Sequence, residues 1–402
     1  MGHIWLTLSY VFLTVLAKVQ SDYTVNITIV DSATATGAVC LDGSPPSYAM
    51  DKGSGPGANN WVIYLEVDGV LLFTIVLEEP TLPEEAVRVL TGIATTYLGY
   101  LTSTQHSIQT STIGTRWLHC TADGSSFFGD VDEVDPQNNL HFRGSRIFKA
   151  IIQELAVKGM AYADNILLSG GSAGGLATIL NCDGLRSLVP YAKTIKCLSD
   201  SGFFLHAPNL PGLMHREQYF RDVVQLHGLA KLLPQTCTSR MRPDLCLFPE
   251  YLVGDIKTPL FLLESSFDQF QIQVQYTPYV GGGKHEWFDC VHLSLSFCNS
   301  TQIEKMQEFH TTFVQTLQIL NYSPSRGAFV HNCFRHGHIM TKDGWTCSRV
   351  VNNILGNKTV ENAVRDWYFD GNNFQYIATD NLPKNCSSPF DNAFDTKCMQ
   401  TV

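Results

Sequence analysis

The sequence predicts an α/β protein with a mainly parallel sheet and helices on both of its faces. Strand-length apolar runs alternate with amphipathic, helix-length segments along the chain, the order that builds parallel crossovers. A glycine-rich turn bearing a serine also joins one such run directly to one such helix.

Trp61-Val62-Ile63-Tyr64-Leu65 reads as a buried strand. Arg146 to Lys158 reads as a helix, with Ile147, Ile151 and Leu155 on one stripe, Phe148 and Ile152 beside it, and Gly159 as C-terminal cap. Asn165 to Leu168 is the next strand. Gly170-Gly171-Ser172-Ala173-Gly174 follows, then Gly175 to Leu180 as a helix. Thr258 to Leu263 is a strand with Pro259 at its start, where a missing N–H is tolerated. Thr301-Gln302-Ile303-Glu304 predicts a capping box opening a helix through Met306, Phe309, Phe313 and Leu317. Gly327 to Val330 is a final short strand. With no repeat, low-complexity tract or linker, residues 22–402 read as one domain.

The chain has 402 residues, 44% hydrophobic and 16% charged, which suits one large core. Its net charge of -10, without a Lys/Arg run, argues against nucleic acid as a partner. Ile4 to Ala17 is apolar but short, and polar sequence follows; it reads as a secretory signal over residues 1–21, cleaved between Ala17 and Asp22. No other stretch is long enough to cross a bilayer. Twelve cysteines agree with an oxidising compartment. Cys237 with Cys246, Cys290 with Cys298, and Cys386 with Cys398 are expected as local disulfides, and no cysteine or histidine spacing suits zinc. Sequons at Asn26, Asn299, Asn321, Asn357 and Asn385 fit a glycosylated, secreted chain.

Strand, tight turn and helix around Ser172 form the context of a nucleophile elbow. An acyl-transfer serine needs a base, and the base needs a carboxylate that holds its tautomer. In α/β-hydrolases these follow in chain order from loops after later strands. Asp268 lies just beyond the strand ending at Leu263; Asp255 precedes that strand, and Asp200 is a weaker candidate that could instead shape the substrate pocket. His336 follows the last strand. His338 is two residues away, so order alone does not separate the two; His331 lies in or beside the strand, and His310 on the amphipathic helix reads as structural.

At these residues the chain resembles the plant pectin acetylesterases, a family that includes the animal Notum carboxylesterases, which remove a fatty acyl group from Wnt proteins. The resemblance rests on Gly37 to Pro46, Trp61 to Glu66, Asp123 to Asp130, Leu140 to Gly144, the serine elbow, Cys197-Leu198-Ser199-Asp200-Ser201-Gly202-Phe203-Phe204, and Cys237 to Arg240. It implies an α/β-hydrolase fold, carboxylic-ester hydrolysis without metal or organic cofactor, and a triad of Ser172, Asp268 and His336. The plant-type blocks favour acetylated pectin, a homogalacturonan-type polysaccharide, as substrate of a secreted, monomeric cell-wall enzyme. A lipid-acyl carboxylesterase of Notum type is the alternative within the enzyme class.

The chain departs from the family after the first strand. The family reads Leu-Glu-Gly-Gly-Gly-Trp-Cys; here the residues are Leu65-Glu66-Val67-Asp68-Gly69-Val70-Leu71, and residues 71–114 match poorly. Gly337 is a lesser departure, since a cysteine often follows the catalytic histidine in plant members. The family's oxyanion hole maps onto the N–H groups of Ala173 and of the turn at Gly69. One such donor stabilises the transition state by roughly 3–4 kcal/mol. A second reading is therefore a wall-polysaccharide binding protein that keeps the fold and triad but has a disrupted oxyanion hole.

Overall fold

The computed structural model describes residues 27–51, 53, 55–65, 114–119, 124–136, 139–276, 287–320, 325–339, 344–345, 349–352, 356–370 and 374–386. The expected signal segment, Gly69 and almost all of the divergent stretch lie outside them.

The strands are β1 (Ile27–Ile29), β2 (Ser47–Met50), β3 (Asn60–Leu65), β4 (Gly114–His119), β5 (Asn165–Gly171), β6 (Thr194–Asp200), β7 (Leu260–Phe267), β8 (Arg326–Phe334), β9 (Arg349–Asn352), β10 (Gly356–Thr359) and β11 (Gln375–Ile377). One sheet runs in the order β1-β2-β4-β3-β5-β6-β7-β8-β11, and β9 pairs with β10 in a separate ribbon. Pairing is antiparallel at the β1-β2-β4 edge and parallel from β4 to β11. The fold is the α/β arrangement that the alternating pattern predicts.

Side chains alternate across each strand, so both faces carry apolar residues that must be covered. Ile63, Leu65, Ile166, Leu168, Leu262 and Val330 point to one side. There they pack with α1 (Gly144–Val157), through Ile147, Phe148, Ile151 and Leu155, and with α2 (Ala173–Leu188), through Ala177 and Leu185. α3 (Leu213–Leu226) lies over a satellite cluster, and α4 (Gln269–Tyr276) follows β7. α5 (Ser300–Leu320) adds Met306, Phe309, Phe313 and Leu317 to the first side. Tyr64, Leu167, Leu198, Phe261, Leu263 and Phe329 face the other side, covered by Val360, Val364 and Trp367 of α6 (Val360–Asp370).

Three local expectations are corrected. The strand expected at Gly327 to Val330 extends over Arg326–Phe334 and is not the last, since β9, β10 and β11 follow it. The capping box of α5 sits two residues earlier than Thr301: the Asn299 side chain accepts the Gln302 N–H at 2.9 Å, and the Gln302 side chain accepts the Asn299 N–H at 2.8 Å. Asparagine is the stronger N-cap because its amide oxygen reaches the third N–H readily. Cys386 bonds to Cys333, not Cys398. Backbone pairing of Lys384 with Asn332 and Phe334 brings residues 53 apart in sequence together, which spacing along the chain did not reveal. Cys237–Cys246 and Cys290–Cys298 close as expected, and Cys182–Cys197 ties α2 to β6. Among the described residues, no helix is long and apolar enough to cross a membrane.

Candidate active site

β5 ends at Gly171, and Ser172 turns the chain into α2 with φ 56° and ψ -122°, a conformation costing a non-glycine residue of order 1–3 kcal/mol. Close packing over-determines the turn. A Cβ on Gly174 would run into the Leu65 carbonyl oxygen of β3, and one on Gly175 would come within 2.8 Å of the Asp200 carbonyl oxygen of β6. The Ser172 N–H donates to that same Asp200 carbonyl at 2.8 Å. Ala173 is the first residue of α2, so its N–H belongs to the set a helix leaves without internal acceptors, at the positive end of its dipole.

The two expected partners of Ser172 converge on it from separate strands. β7 carries a register irregularity between Ser265 and Phe267, and Asp268 follows directly, fully buried. Its Oδ1 accepts the Gln271 N–H at 2.8 Å, so the carboxylate caps α4 and its orientation is fixed. Its Oδ2 then faces the loop after β8. There His336 Nδ1 lies 2.8 Å from Asp268 Oδ2, and His336 Nε2 lies 2.7 Å from Ser172 Oγ. With Nδ1–H donating to the carboxylate, Nε2 is left as acceptor for the serine hydroxyl. The imidazole is mostly covered, with Phe270 at a ring distance of 5.1 Å. Burial disfavours its cation, but the Asp268 charge and hydrogen bond, with Asp200 further back, hold its pKa above the usual histidine value.

The structure separates His338 from His336. His338 is fully buried and bonds to Asp200 Oδ1 through Nδ1 at 2.5 Å. The Asp200 carboxylate bonds to His338 and not to the His336 ring, and it is fully buried. Asp255 lies 3.5 Å from Arg240. His310 is buried and stacks on Phe267, as the helix position suggested. Glu264 of β7, two strand positions from Ser266, went unnoticed in the sequence: burial first, then the Asp268 and Asp200 charges, push its carboxyl well above the usual range. Its Oε1 accepts the N–H groups of Gly202 and Phe203 at 3.2 and 3.1 Å. Its sign in sequence is a lone acid directly after the apolar run Leu260-Phe261-Leu262-Leu263.

The chain is similar over its length to known proteins. The family model described as Pectinacetylesterase matches residues 18–75 and 119–389. The chain belongs to the pectinacetylesterase family. Pectin acetylesterase 7 of Arabidopsis thaliana is 36% identical over 365 residues, covering 91% of each chain. Pectin acetylesterase 11 of the same plant is 36% identical over 91% of this chain and 93% of its own. A Drosophila structure titled as the Wnt deacylase Notum superposes with TM-score 0.66 at 20% identity, covering 90% of this chain and 98% of its own, a likeness of fold. As a pectinacetylesterase family member the chain is a carboxylic-ester hydrolase with an α/β-hydrolase-like fold.

Asp268→Asn is expected to lower kcat by about 10³–10⁴-fold, because an amide can donate to Nδ1 and turn the wrong tautomer to the serine. In the parent protein, kcat/KM is expected to fall on the acid side, as His336 gains a proton and stops acting as base. Its raised pKa places the midpoint above that of an ordinary histidine. A pH–rate profile with its acid limb below the ordinary histidine range contradicts this.

Proposed function

We propose that the protein is a secreted serine esterase that removes acetyl groups from cell-wall pectin. The 2.7 Å approach of Ser172 Oγ to a His336 already bonded to Asp268 carries the chemistry. The 36% identity to proteins named pectin acetylesterases supports the substrate. His336 takes the serine proton as Oγ attacks the acetyl carbonyl. The Ala173 N–H, at the first turn of α2, stabilises the oxyanion. His336 returns the proton to the departing sugar hydroxyl. Water activated by the same ring then releases acetate from the acetyl-serine. Asp268 keeps the ring oriented and stabilises its cation in both steps.

The sequence Val67-Asp68 favours a second reading, a wall-polysaccharide binding protein with weakened catalysis. Acetate release from acetylated pectin, pectin binding, and a chromogenic ester series from acetyl to long acyl chains separate the readings. The expected result is acetate release from pectin and turnover falling steeply beyond short acyl chains. Binding without turnover supports the second reading, and a preference for long chains supports a lipid-acyl esterase.

A further inference from the structure

The sequence block from Cys197 to Phe204 is not used by the triad, yet it sits between the triad's members. We propose that Asp200 is a positioning residue shared by nucleophile and base, and that its buried carboxylate is a second fixed anion behind His336. The inference rests on the Ser172–His336–Asp268 reading above.

One residue of β6 holds both reacting groups. Its main-chain carbonyl accepts the Ser172 N–H at 2.8 Å, at the strained turn. Its carboxylate Oδ2 accepts the His338 and Ile339 N–H groups at 2.7 and 2.8 Å. The neighbouring Ser201 Oγ accepts the Gly337 N–H at 2.9 Å. Residues 337, 338 and 339, which directly follow His336, are thus held through their backbone N–H groups by the side chains of Asp200 and Ser201. β6 in turn lies between β5 and β7, and the Ser201 N–H donates to the Leu263 carbonyl at 2.9 Å. Catalysis is sensitive to such placement, since an error of about 1 Å in a reacting group can cost on the order of 10² in rate.

The side chains behind Asp200 explain why it stays charged. The Cys333 N–H donates to His331 Nδ1 at 3.0 Å. A neutral His331 then carries its proton on Nε2 and donates it to His338 Nε2 at 2.7 Å. His338 is left with its proton on Nδ1, which it donates to Asp200 Oδ1. Burial keeps both rings neutral. Burial opposes the Asp200 charge, but His338 and the two N–H groups outweigh it and lower the pKa. The chain of donors runs in one direction and ends on an anion that water does not screen.

The titratable groups around His336 come from each neighbouring element. Asp268 and Glu264 belong to the β7 segment, with Glu264 held neutral; Asp200 belongs to β6 and His331 to β8. Arg335 and His338 belong to the histidine's own loop, and Arg335 Nε donates to the Gly337 carbonyl at 2.9 Å. The anions of this set are Asp268 and Asp200. Removing the second therefore lowers the proton affinity of His336 while leaving its hydrogen bond to Asp268 in place.

The test uses the full chain as Asp200→Asn, beside the parent protein and Ser172→Ala, with a chromogenic acetyl ester across pH. For Asp200→Asn, kcat is expected to fall about 10–100-fold with KM within about twofold, and the acid limb to move to lower pH. An acid limb that stays at the parent's position overturns the proposal, whatever the turnover. So does a loss confined to KM or to thermal stability. If Asp200→Asn does not fold, Ser201→Ala carries the test: it withdraws the acceptor of the Gly337 N–H and is expected to lower kcat severalfold at unchanged KM, and parent-like kcat overturns the proposal. Turnover by Ser172→Ala would remove the triad reading itself. An inactive Ser172→Ala beside an unaffected Asp200→Asn removes this inference alone.

Discussion

Ser172→Ala is expected to abolish ester hydrolysis, with a loss in kcat of at least about 10⁴-fold, while yield and melting temperature stay near those of the parent protein. In the proposed mechanism the hydroxyl is the atom that attacks, and no other side chain stands 2.7 Å from His336 Nε2 among the described hydrogen bonds. The turn itself is set by the contacts of Gly174 with β3 and of Gly175 with β6, which alanine at 172 leaves intact. The side chain is partly exposed and adds little packing. Turnover by the variant comparable with the parent's would end the serine-hydrolase reading.

The second large effect separates two histidines that are near neighbours in sequence. His336→Ala is expected to remove activity by at least about 10⁴-fold with little change in stability, since the ring touches solvent and is the base of the proposed mechanism. His338→Ala is expected to destabilise the fold by about 3–5 kcal/mol, because it takes a partner from the buried Asp200 carboxylate and from His331. Its turnover per folded molecule should exceed that of His336→Ala by about 10²-fold or more, because the Ser172–His336–Asp268 contacts remain. Thermal melts and acetyl-ester kinetics on both variants check this. A loss of turnover from His338→Ala equal to or greater than that from His336→Ala contradicts the assignment.

Much of this arrangement was legible in the residues. Ser172 announced itself because an elbow needs small residues on both sides, and that requirement is local. Asp268 and His336 were legible by position, since each directly follows an apolar strand and parallel strands deliver their C-terminal ends to one edge of a sheet. Chain order left the choice between His336 and His338 open, and only the family resemblance implied His336. The choice depends on which ring the loop turns outward, and that is decided by Asp200 at the end of β6 and Ser201 just beyond it, more than a hundred residues earlier. Asp200 was visible as a candidate, but an acid after a strand looks the same whether it meets the base or supports the loop behind it. The Cys333–Cys386 bond was hidden for the same reason, since pairing across the sheet edge, not spacing along the chain, brings those sulfurs together.

The sequence by itself determined the layering of sheet and helices, the place of the serine elbow and the chain order of the two residues that meet it. These follow from periodicity and turn chemistry, which act over a few residues. Only the tertiary structure decided which oxygen of Asp268 faces His336, that His338 turns back to Asp200, and that Asp200 joins elbow and loop. Those outcomes depend on hydrogen bonds between segments distant in sequence, whose geometry exists only once β5, β6, β7 and β8 lie side by side.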